Sequence, residues 1–241
     1  MADRLVALVT GANKGLGFEI CRQLAAKGYS VVLTARNPEK GRRATGALQQ
    51  QGFDVYFVRV DLEDPSTFDS AVTFVERTFG KLDVLMNNAG FAIDWEYRAD
   101  TVPLELVRKT FEANFFGLMD LTQRLIPLIR KSPAGRIVNH ASILGSLTLR
   151  TTANSGLEQF RAFAYNASKT AVNAFTVHLA DALRDTPIKV NSAHPGQVKT
   201  DANPMGTMDV REGAKTAVDL ATLPADGPTG CFFHLGNQLP W

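Results

Sequence analysis

Short, mainly apolar runs alternate along this chain with longer segments of helical or polar pattern. Six runs have the length of β-strands, and they cover residues 5–9, 30–34, 55–60, 82–86, 136–141 and 188–193. Segments of helix length lie near residues 15–28, 39–51, 66–79 and 103–131, and another begins at Tyr165. Runs that are apolar on both faces are typical of parallel strands covered by helices. The alternation therefore predicts an α/β fold of the Rossmann type, a doubly wound parallel sheet of about seven strands with helices on both faces.

The length and composition suit one globular domain. The chain has 241 residues, of which 45% are hydrophobic and 21% are charged, so it is able to bury a full core. We expect a single domain over residues 1–241, with candidate substrate loops near 91–101, 143–164 and 197–212. The net charge of +2 and the lack of a Lys/Arg tract argue against nucleic acid or an acidic membrane surface as a partner.

The rest of the composition favours a cytoplasmic protein without a metal site. Cys21 and Cys231 lie far apart and match no metal or redox spacing, which is typical of a reducing compartment. The four histidines show no ligand spacing either. The apolar run at 5–9 is too short for a signal peptide, and no run is long enough to span a membrane. We therefore expect cytoplasmic localisation, no membrane partner and no metal.

A glycine-rich turn joins the first predicted strand to the first predicted helix. Its sequence is TGANKGLG. Glycines let the backbone approach a ligand closely, and a helix N-terminus offers free N–H groups and a partial positive charge to an anion. Gly11, Gly15 and Gly17 thus predict a pyrophosphate site. The alternative is an ordinary tight turn.

The end of the second predicted strand carries a cation rather than a carboxylate. Sites selective for NAD normally offer Asp or Glu there to the ribose hydroxyls. This chain instead has Arg36, and Lys14 lies in the glycine turn. Two cations and no anion at this place favour the 2′-phosphate of NADP(H). In the alternative interpretation Arg36 caps a loop and Lys14 is simply solvated.

Polar and small residues also follow the third and fourth predicted strands. Asp61 is placed to accept a hydrogen bond from an adenine amino group, or else to cap the helix that follows it. After the fourth strand, Asn87 and Asn88 can pin neighbouring strands through side-chain hydrogen bonds. The small residues Ala89 and Gly90 let the chain pass close to a flat ring.

Tyr165 and Lys169 lie four residues apart at the start of an amphipathic helix, so both side chains project from one face. A phenol in water has a pKa near ~10. An ammonium roughly 4 Å away, at an effective dielectric of about 20, favours the phenolate by about 4 kcal/mol, or roughly three pKa units. Desolvation opposes that shift. The pair predicts a proton donor near neutral pH, and the alternative is a surface contact within the helix.

Three further positions are candidates for the same site. Asn114 lies in the middle of the long predicted helix, where asparagine is intrinsically disfavoured, so it either has a role or faces solvent. Ser142 follows the fifth strand, at the edge where ligands collect in such sheets, and its hydroxyl can hydrogen-bond a substrate carbonyl oxygen. After the sixth strand, the rigid turn at Pro195 and Gly196 can hold a carboxamide against the Val198 backbone.

Together these segments resemble the short-chain dehydrogenase/reductase family. TGANKGLG, NNAG, Asn114, Ser142, YNASK and PGQVKT occur in the family's order and approximate spacing and cover nearly the whole chain. Within the family, TGANKGLG, VVLTAR and NFFG look most like the NADPH-dependent carbonyl reductases. One departure is Ala141, where many members have a second serine.

The resemblance implies a role for each candidate of the second half. Tyr165 would be the proton donor, and Ser142 would bind the substrate oxygen. Lys169 would contact the nicotinamide ribose and lower the pKa of Tyr165, and Asn114 would hold a water in a proton relay. The resemblance also implies NADPH/NADP⁺ as cofactor, with contacts at Gly11, Asn13, Lys14, Gly15, Leu16, Gly17, Arg36, Asp61, Leu62, Asn88, Ala89, Gly90, Tyr165, Lys169, Pro195, Gly196, Val198 and Thr200.

The expected activity is NADPH-dependent reduction of a ketone or aldehyde to an alcohol. The partner would be a small carbonyl substrate, apolar or aromatic, held by Ile93, Trp95, Met205 and Trp241, although these four can equally serve ordinary loop packing. Two alternatives stay open: a 3-oxoacyl thioester reductase of the same family, and a non-catalytic NADPH-binding sensor or scaffold. The sequence does not decide between a monomer and a homo-oligomer.

Overall fold

The computed structural model describes residues 4–201 and 203–241. Its strands are β1 (Val6–Val9), β2 (Ser30–Ala35), β3 (Val55–Arg59), β4 (Val84–Asn87), β5 (Arg136–His140), β6 (Lys189–Ala193), β7 (Cys231–His234) and β8 (Asn237–Gln238). They form an eight-stranded sheet in the order β3-β2-β1-β4-β5-β6-β7-β8. All neighbours are parallel except β7 and β8, which form an antiparallel pair. The doubly wound α/β fold is confirmed, with β8 as an added edge strand.

The helices cover both faces of the sheet. They are α1 (Gly15–Ala26), α2 (Pro38–Gln49), α3 (Phe68–Phe79), α4 (Leu104–Phe111), α5 (Leu118–Ile129), α6 (Leu147–Thr151), α7 (Phe163–Ala182) and α8 (Val210–Ala221). Alternate residues of β1 point to opposite faces. Val6 and Leu8 pack with residues of α3, α5 and α7, whereas Ala7 and Val9 pack with residues of α1, α2 and α8. Both faces of the sheet are thus buried, which explains why β1 at its centre is apolar throughout.

The helix predicted over 103–131 has an irregular centre. α4 and α5 are joined by a π-helical segment, Glu112–Gly117. A Cβ atom on Gly117 would lie 2.0 Å from the Leu62 carbonyl oxygen, so the helix and the loop after β3 are in direct backbone contact. Pro127 lies inside α5, two residues before the helix ends. Single π-helical turns are often found at functional sites, and this one carries Asn114.

Parallel strands bring their carboxyl ends to the same edge of the sheet. Side chains pin that edge as expected, because Asn87 Nδ2 donates to Asn139 Oδ1 at 2.8 Å and to Thr122 Oγ1 at 2.9 Å. The segments that follow β1, β2, β4, β5 and β6 therefore gather the candidate residues around one groove.

Candidate active site

The glycine turn leaves no room for a side chain at Gly11 or Gly17. Gly11 and Gly15 have φ values of +63° and +57°, in the left-handed region that favours glycine. A Cβ atom on Gly17 would lie 2.5 Å from Asn88 Nδ2 and 2.7 Å from the Gly11 carbonyl oxygen. Lys14, at the N-cap of α1, makes no side-chain capping bond, and the first turn holds no acidic residue. The first N–H groups of α1 therefore suit an anion such as a pyrophosphate.

Both predicted phosphate-binding cations are exposed, and both face a carboxylate. Lys14 Nζ lies 2.8 Å from Asp201 Oδ2, and their side chains are 65% and 78% exposed. Arg36 lies 3.5 Å from Glu63 Oε2. The expectation of two cations with no anion beside them is therefore wrong. Glu63 follows β3 in the sequence, but the fold brings its carboxylate next to Arg36 at the end of β2.

Asp61 does not cap the helix that follows it. Its Oδ1 accepts from the Glu63 N–H at 3.2 Å, and the short turn Pro65–Thr67 is capped instead by Asp64, which accepts from the Ser66 N–H. Leu62 is buried in the core. Asp61 Oδ2 also lies 3.9 Å from the Arg59 guanidinium, so both carboxylate oxygens have partners at the sheet edge, whereas Leu62 contributes mainly packing.

The segment after β4 forms the floor of the groove. Asn88 Nδ2 donates to the Thr10 carbonyl oxygen at 2.8 Å, and its Oδ1 lies 2.9 Å from His140 Nδ1. The Ala89 N–H donates to Thr10 Oγ1. A Cβ atom on Gly90 would lie 3.3 Å from Lys169 Nζ, so a side chain there would crowd the ammonium. The predicted residues Asn88, Ala89 and Gly90 thus meet the YNASK helix at the groove floor.

Ser142, Tyr165 and Lys169 are brought together at the end of β5. The Ser142 hydroxyl lies close enough to the Tyr165 phenol to lower the pKa of the phenol. Lys169 Nζ donates to the His140 carbonyl oxygen at 2.8 Å and lies 5.8 Å from the centroid of the Tyr165 ring. Ser142 and Lys169 are only 7% and 4% exposed. The surface-contact alternative for the Tyr165–Lys169 pair is therefore wrong.

The pKa of Tyr165 is shifted opposite to expectation. Burial raises this pKa above its ordinary value, and the hydrogen bond from Ser142 offsets only part of the rise. Burial also lowers the pKa of Lys169 to about 8. The expected lowering of the Tyr165 pKa by Lys169 is wrong for this structure, because desolvation outweighs the attraction and the ammonium bonds to a carbonyl oxygen.

Asn114 is fully buried, so the solvent-exposed alternative is wrong. Its Oδ1 accepts from the Phe91 N–H at 3.0 Å, and its Nδ2 donates to the Phe91 carbonyl oxygen at 2.8 Å. Nδ2 also donates to Ser168 Oγ at 3.1 Å. The Asn114 side chain therefore ties the loop after Gly90 to α7. The relay water expected at this residue stays a prediction.

The turn after β6 closes the far side of the groove. Gly196 has a φ of +89°, and a Cβ atom there would lie 2.8 Å from Met208 Sδ. Val198, which follows the Pro195–Gly196 turn, pairs with Met208 in a short parallel bridge. The predicted loop 197–212 is described except for Ala202, which lies outside the described residues.

The same loop reaches the glycine turn, since a Cβ atom on Gly15 would lie 3.7 Å from the Thr200 methyl group. The first and last predicted cofactor segments therefore meet across the groove. Asn13 and Leu16 lie within the glycine turn and at the start of α1.

Two histidines that were not predicted as site residues lie at the carboxyl edge of the sheet. His140 and His194 are buried, and burial lowers the pKa of each to about 3. His140 Nε2 and His194 Nδ1 have no hydrogen-bond partner among the described residues. Buried polar atoms normally have partners, so these nitrogens suit a polar ligand group in the groove. The signal available in the sequence was position: both residues end strands beside predicted site residues.

Of the four predicted pocket residues, Trp95 is the one that the described contacts bring to the phenol. Its ring centroid lies 5.7 Å from that of Tyr165. Ile93 and Met205 are 39% and 88% exposed. Trp241 stacks on Phe232 with centroids 5.7 Å apart. Its carbonyl oxygen accepts from the Thr148 N–H, so packing at the sheet edge accounts for this residue.

Neither a metal site nor a membrane span is found in the part of the chain that the structure describes. Within residues 4–201 and 203–241, no group of three or more His, Cys, Asp or Glu residues is placed to hold a metal ion. Over the same ranges, no helix is both long enough and apolar enough to cross a membrane.

Comparison with known proteins gives matches along nearly the whole chain. The sequence profile described as short chain dehydrogenase matches residues 5–209. Carbonyl reductase (NADPH) 1 of Mus musculus is 35% identical over 283 aligned positions, which cover 100% of this chain and 99% of that protein. The alignment is longer than the 241 residues of this chain, so the mouse protein carries segments that have no counterpart here.

Solved structures agree with the sequence match. The NADPH-bound carbonyl reductase from chicken fatty liver superposes with a TM-score of 0.86 at 26% identity, covering 99% of this chain and 95% of that one. An actinorhodin polyketide ketoreductase variant with NADPH gives a TM-score of 0.85 at 27% identity, with coverages of 98% and 97%. This chain is similar to both enzymes over their full lengths.

Proposed function

Because this chain belongs to the short-chain dehydrogenase family, we propose that it reduces a ketone or aldehyde to an alcohol with NADPH. Membership makes the chain an oxidoreductase that acts on C=O or CH–OH groups. The observation that carries the finer proposal is that Ser142, Tyr165 and the buried Lys169 ammonium lie together at the end of β5.

A dinucleotide with a 2′-phosphate would lie along the groove. The glycine turn and the N-terminus of α1 would hold the pyrophosphate, while Lys14 and Arg36 would exchange their carboxylate partners for the 2′-phosphate. Asp61 would accept from the adenine amino group. The nicotinamide end would lie between the small residues after β4 and the turn at Pro195, where the buried nitrogens of His140 and His194 need partners. The named relative and the chicken structure both support NADPH as the cofactor.

The side chains at the groove floor would have separate roles in the reduction of the carbonyl group. When bound, a reduced nicotinamide would supply the hydride that the carbonyl carbon receives. Tyr165 donates its phenolic proton to the carbonyl oxygen, so that the product is a neutral alcohol. The raised pKa of Tyr165 suits this direction, because the phenol keeps its proton at neutral pH. Ser142 donates a hydrogen bond to the oxygen and stabilises the charge that develops there.

Lys169 and Asn114 would assist this reaction without donating the proton themselves. The Lys169 ammonium lies close enough to favour the phenolate that proton transfer leaves behind. Asn114 fixes the loop beside Gly90 and would hold the relay water. An apolar or aromatic substrate is favoured because the exposed ring of Trp95 stands next to the phenol.

Tyr165→Phe tests the role of the phenol. The substitution removes the donated proton and leaves the ring packing, so turnover of a carbonyl panel should fall by about 10³-fold or more. NADPH binding, followed by its fluorescence, should persist. Tyr29→Phe is the matched control, since Tyr29 lies at the opposite, amino-terminal end of β2. Undiminished turnover by Tyr165→Phe would refute the proposed role.

A second candidate is a reductase of 3-oxoacyl thioesters, and the likeness to the polyketide ketoreductase supports it. The same Ser142, Tyr165 and Lys169 chemistry would apply, so only the substrate differs. A panel of aromatic ketones, diketones and acyl thioesters, with NADPH consumption as readout, separates the two. A non-catalytic sensor has no need of the proton donor, and absence of turnover on the whole panel would favour it.

A further inference from the structure

Asp94 is a buried carboxylate in an otherwise exposed stretch of the loop after β4. Its neighbours Ile93, Trp95 and Glu96 are exposed, whereas Asp94 is 0% exposed. Its Oδ2 accepts from the Ala164 N–H at 2.5 Å, and its Oδ1 accepts from the Tyr165 N–H at 3.3 Å. Both carboxylate oxygens are thus bound to the start of α7.

The start of α7 has no cap of its own. Ala162, at the N-cap position, adopts φ 35° and ψ 57° and has no side-chain acceptor, and the first turn contains no acidic residue. The first N–H groups of a helix have no partner within the helix, and an N-cap oxygen normally accepts from one of them. Asp94 supplies that acceptor from 70 residues away, with the negative charge that a helix N-terminus favours.

The loop also contacts the catalytic ring directly. Trp95, the residue after Asp94, places its ring 5.7 Å from the ring of Tyr165. One short segment therefore fixes the Tyr165 backbone through the carboxylate and restrains its side chain through the indole.

We propose that Asp94 is a positioning residue: by fixing the first turn of α7, it holds the Tyr165 hydroxyl at Ser142. The inference rests on the proposed function of Tyr165. Asp94 is buried and its oxygens are engaged by two amides, so it acts through Tyr165 and not on a ligand. Without the carboxylate, the first turn frays and the hydroxyl leaves its place, while the lysine one turn further on stays held by its own bond to the His140 carbonyl oxygen.

Asp94→Ala and Asp94→Asn test this inference. Asp94→Ala removes both acceptors, and kcat should fall about 10- to 100-fold because the proton donor is misplaced. The KM for the carbonyl and the Kd for NADPH should stay within about threefold of the wild type. Asp94→Asn keeps one acceptor oxygen, so it should restore part of kcat. Amide hydrogen exchange at Ala164 and Tyr165, measured by NMR, should accelerate in the same order.

Asp100→Asn is the matched control. Asp100 lies in the same loop, but it is exposed and pairs only with Arg98 in the described contacts. This variant should match the wild type in kcat and in amide exchange. If Asp94→Ala does not fold, the kcat and amide exchange of Asp94→Asn alone test the inference.

The inference is overturned if both Asp94 variants keep kcat within about twofold of the wild type. It is also overturned if kcat and NADPH affinity fall in parallel, which would indicate general damage to the fold. Failure of the proposed function looks different: the wild type itself would then turn over no carbonyl, while the exchange rates at Ala164 and Tyr165 would still report whether Asp94 fixes the helix start.

Discussion

Burial and charge act in opposite directions on the phenol of Tyr165. A simple Coulomb argument with an ammonium at roughly 4 Å predicts a lower pKa for the phenol. In the structure Lys169 Nζ lies 5.8 Å from the ring centroid and donates to the His140 carbonyl oxygen, so its attraction is weaker and burial dominates. A raised pKa suits a proton donor for carbonyl reduction, because the phenol must be protonated before the reaction. The phenolate, which the ammonium stabilises, forms only after the proton has been transferred.

Arg36→Asp tests the cofactor preference at the scale of one residue. The substitution removes the proposed partner of the 2′-phosphate and places a carboxylate near Glu63, which now pairs with Arg36. A charge-assisted hydrogen bond contributes roughly 1.5–3 kcal/mol, so NADPH affinity should fall about 10- to 100-fold. NADH should be used comparatively better, as judged by kcat/KM for the two cofactors.

Arg43→Asp is the control for that charge change, since Arg43 is exposed on α2. It should leave the ratio of the two kcat/KM values unchanged. An unaltered ratio in Arg36→Asp would remove Arg36 from the cofactor site.

The segment from α4 to α5 shows how one element serves both packing and the site. Its π-helical centre directs Asn114 to the Phe91 backbone and to Ser168, thereby joining the loop after β4 to α7. The same segment brings Gly117 against the Leu62 carbonyl oxygen. The sequence predicted one long helix over this segment, but a local backbone irregularity of this kind leaves the overall helical pattern intact and was not predicted.

Gly117→Ala tests the close contact of this element. The added methyl group would lie 2.0 Å from a backbone oxygen, so the helix or the loop must move. Overpacking of this kind costs about 1–3 kcal/mol in the free energy of unfolding, measured by urea denaturation. Gly46→Ala in α2 is the matched control, since no atom lies within 4 Å of its new methyl group. That variant should gain up to about 1 kcal/mol from helix propensity, and equal effects at both positions would contradict the contact.

At the scale of the molecule, the sheet holds two imidazoles neutral in its interior. His140 and His194 end neighbouring strands, and burial lowers the pKa of each from 6.5 to about 3. The unfolded chain therefore binds more protons than the folded protein between these pH values. Stability is complete above pH 6.5 and is lost as the pH falls toward about 3.

Acid denaturation measures this effect. Lowering the pH from about 7 to about 5 should reduce the free energy of unfolding by roughly 2 kcal/mol for each buried imidazole. His194→Asn should reduce the pH-dependent loss of unfolding free energy by about the contribution of one buried imidazole, measured by urea denaturation at several pH values. His178→Asn is the control, because His178 is exposed on α7. A dependence that is the same in all three proteins would contradict the buried neutral state.

The sequence by itself determined the α/β fold and the family, and it predicted which residues form the groove. Apolar runs, glycine turns and the Tyr165–Lys169 spacing are local patterns, and local patterns report strands, helices and turn chemistry. The order of the motifs along a parallel sheet then implies that they meet at its carboxyl edge. On this basis Ser142 is expected beside Tyr165, and in the structure the two side chains lie close enough to interact.

Only the tertiary structure decided how these residues are tuned and supported. Three features depend on elements that are separate along the chain. Glu63 pairs with Arg36, His140 is buried in its neutral form, and the Asp94 carboxylate accepts from the first N–H groups of α7. Trp241 packs on Phe232 for the same kind of reason. Hydrogen bonds and pKa shifts depend on distance and burial in space, and the spacing of residues along the sequence does not contain that information.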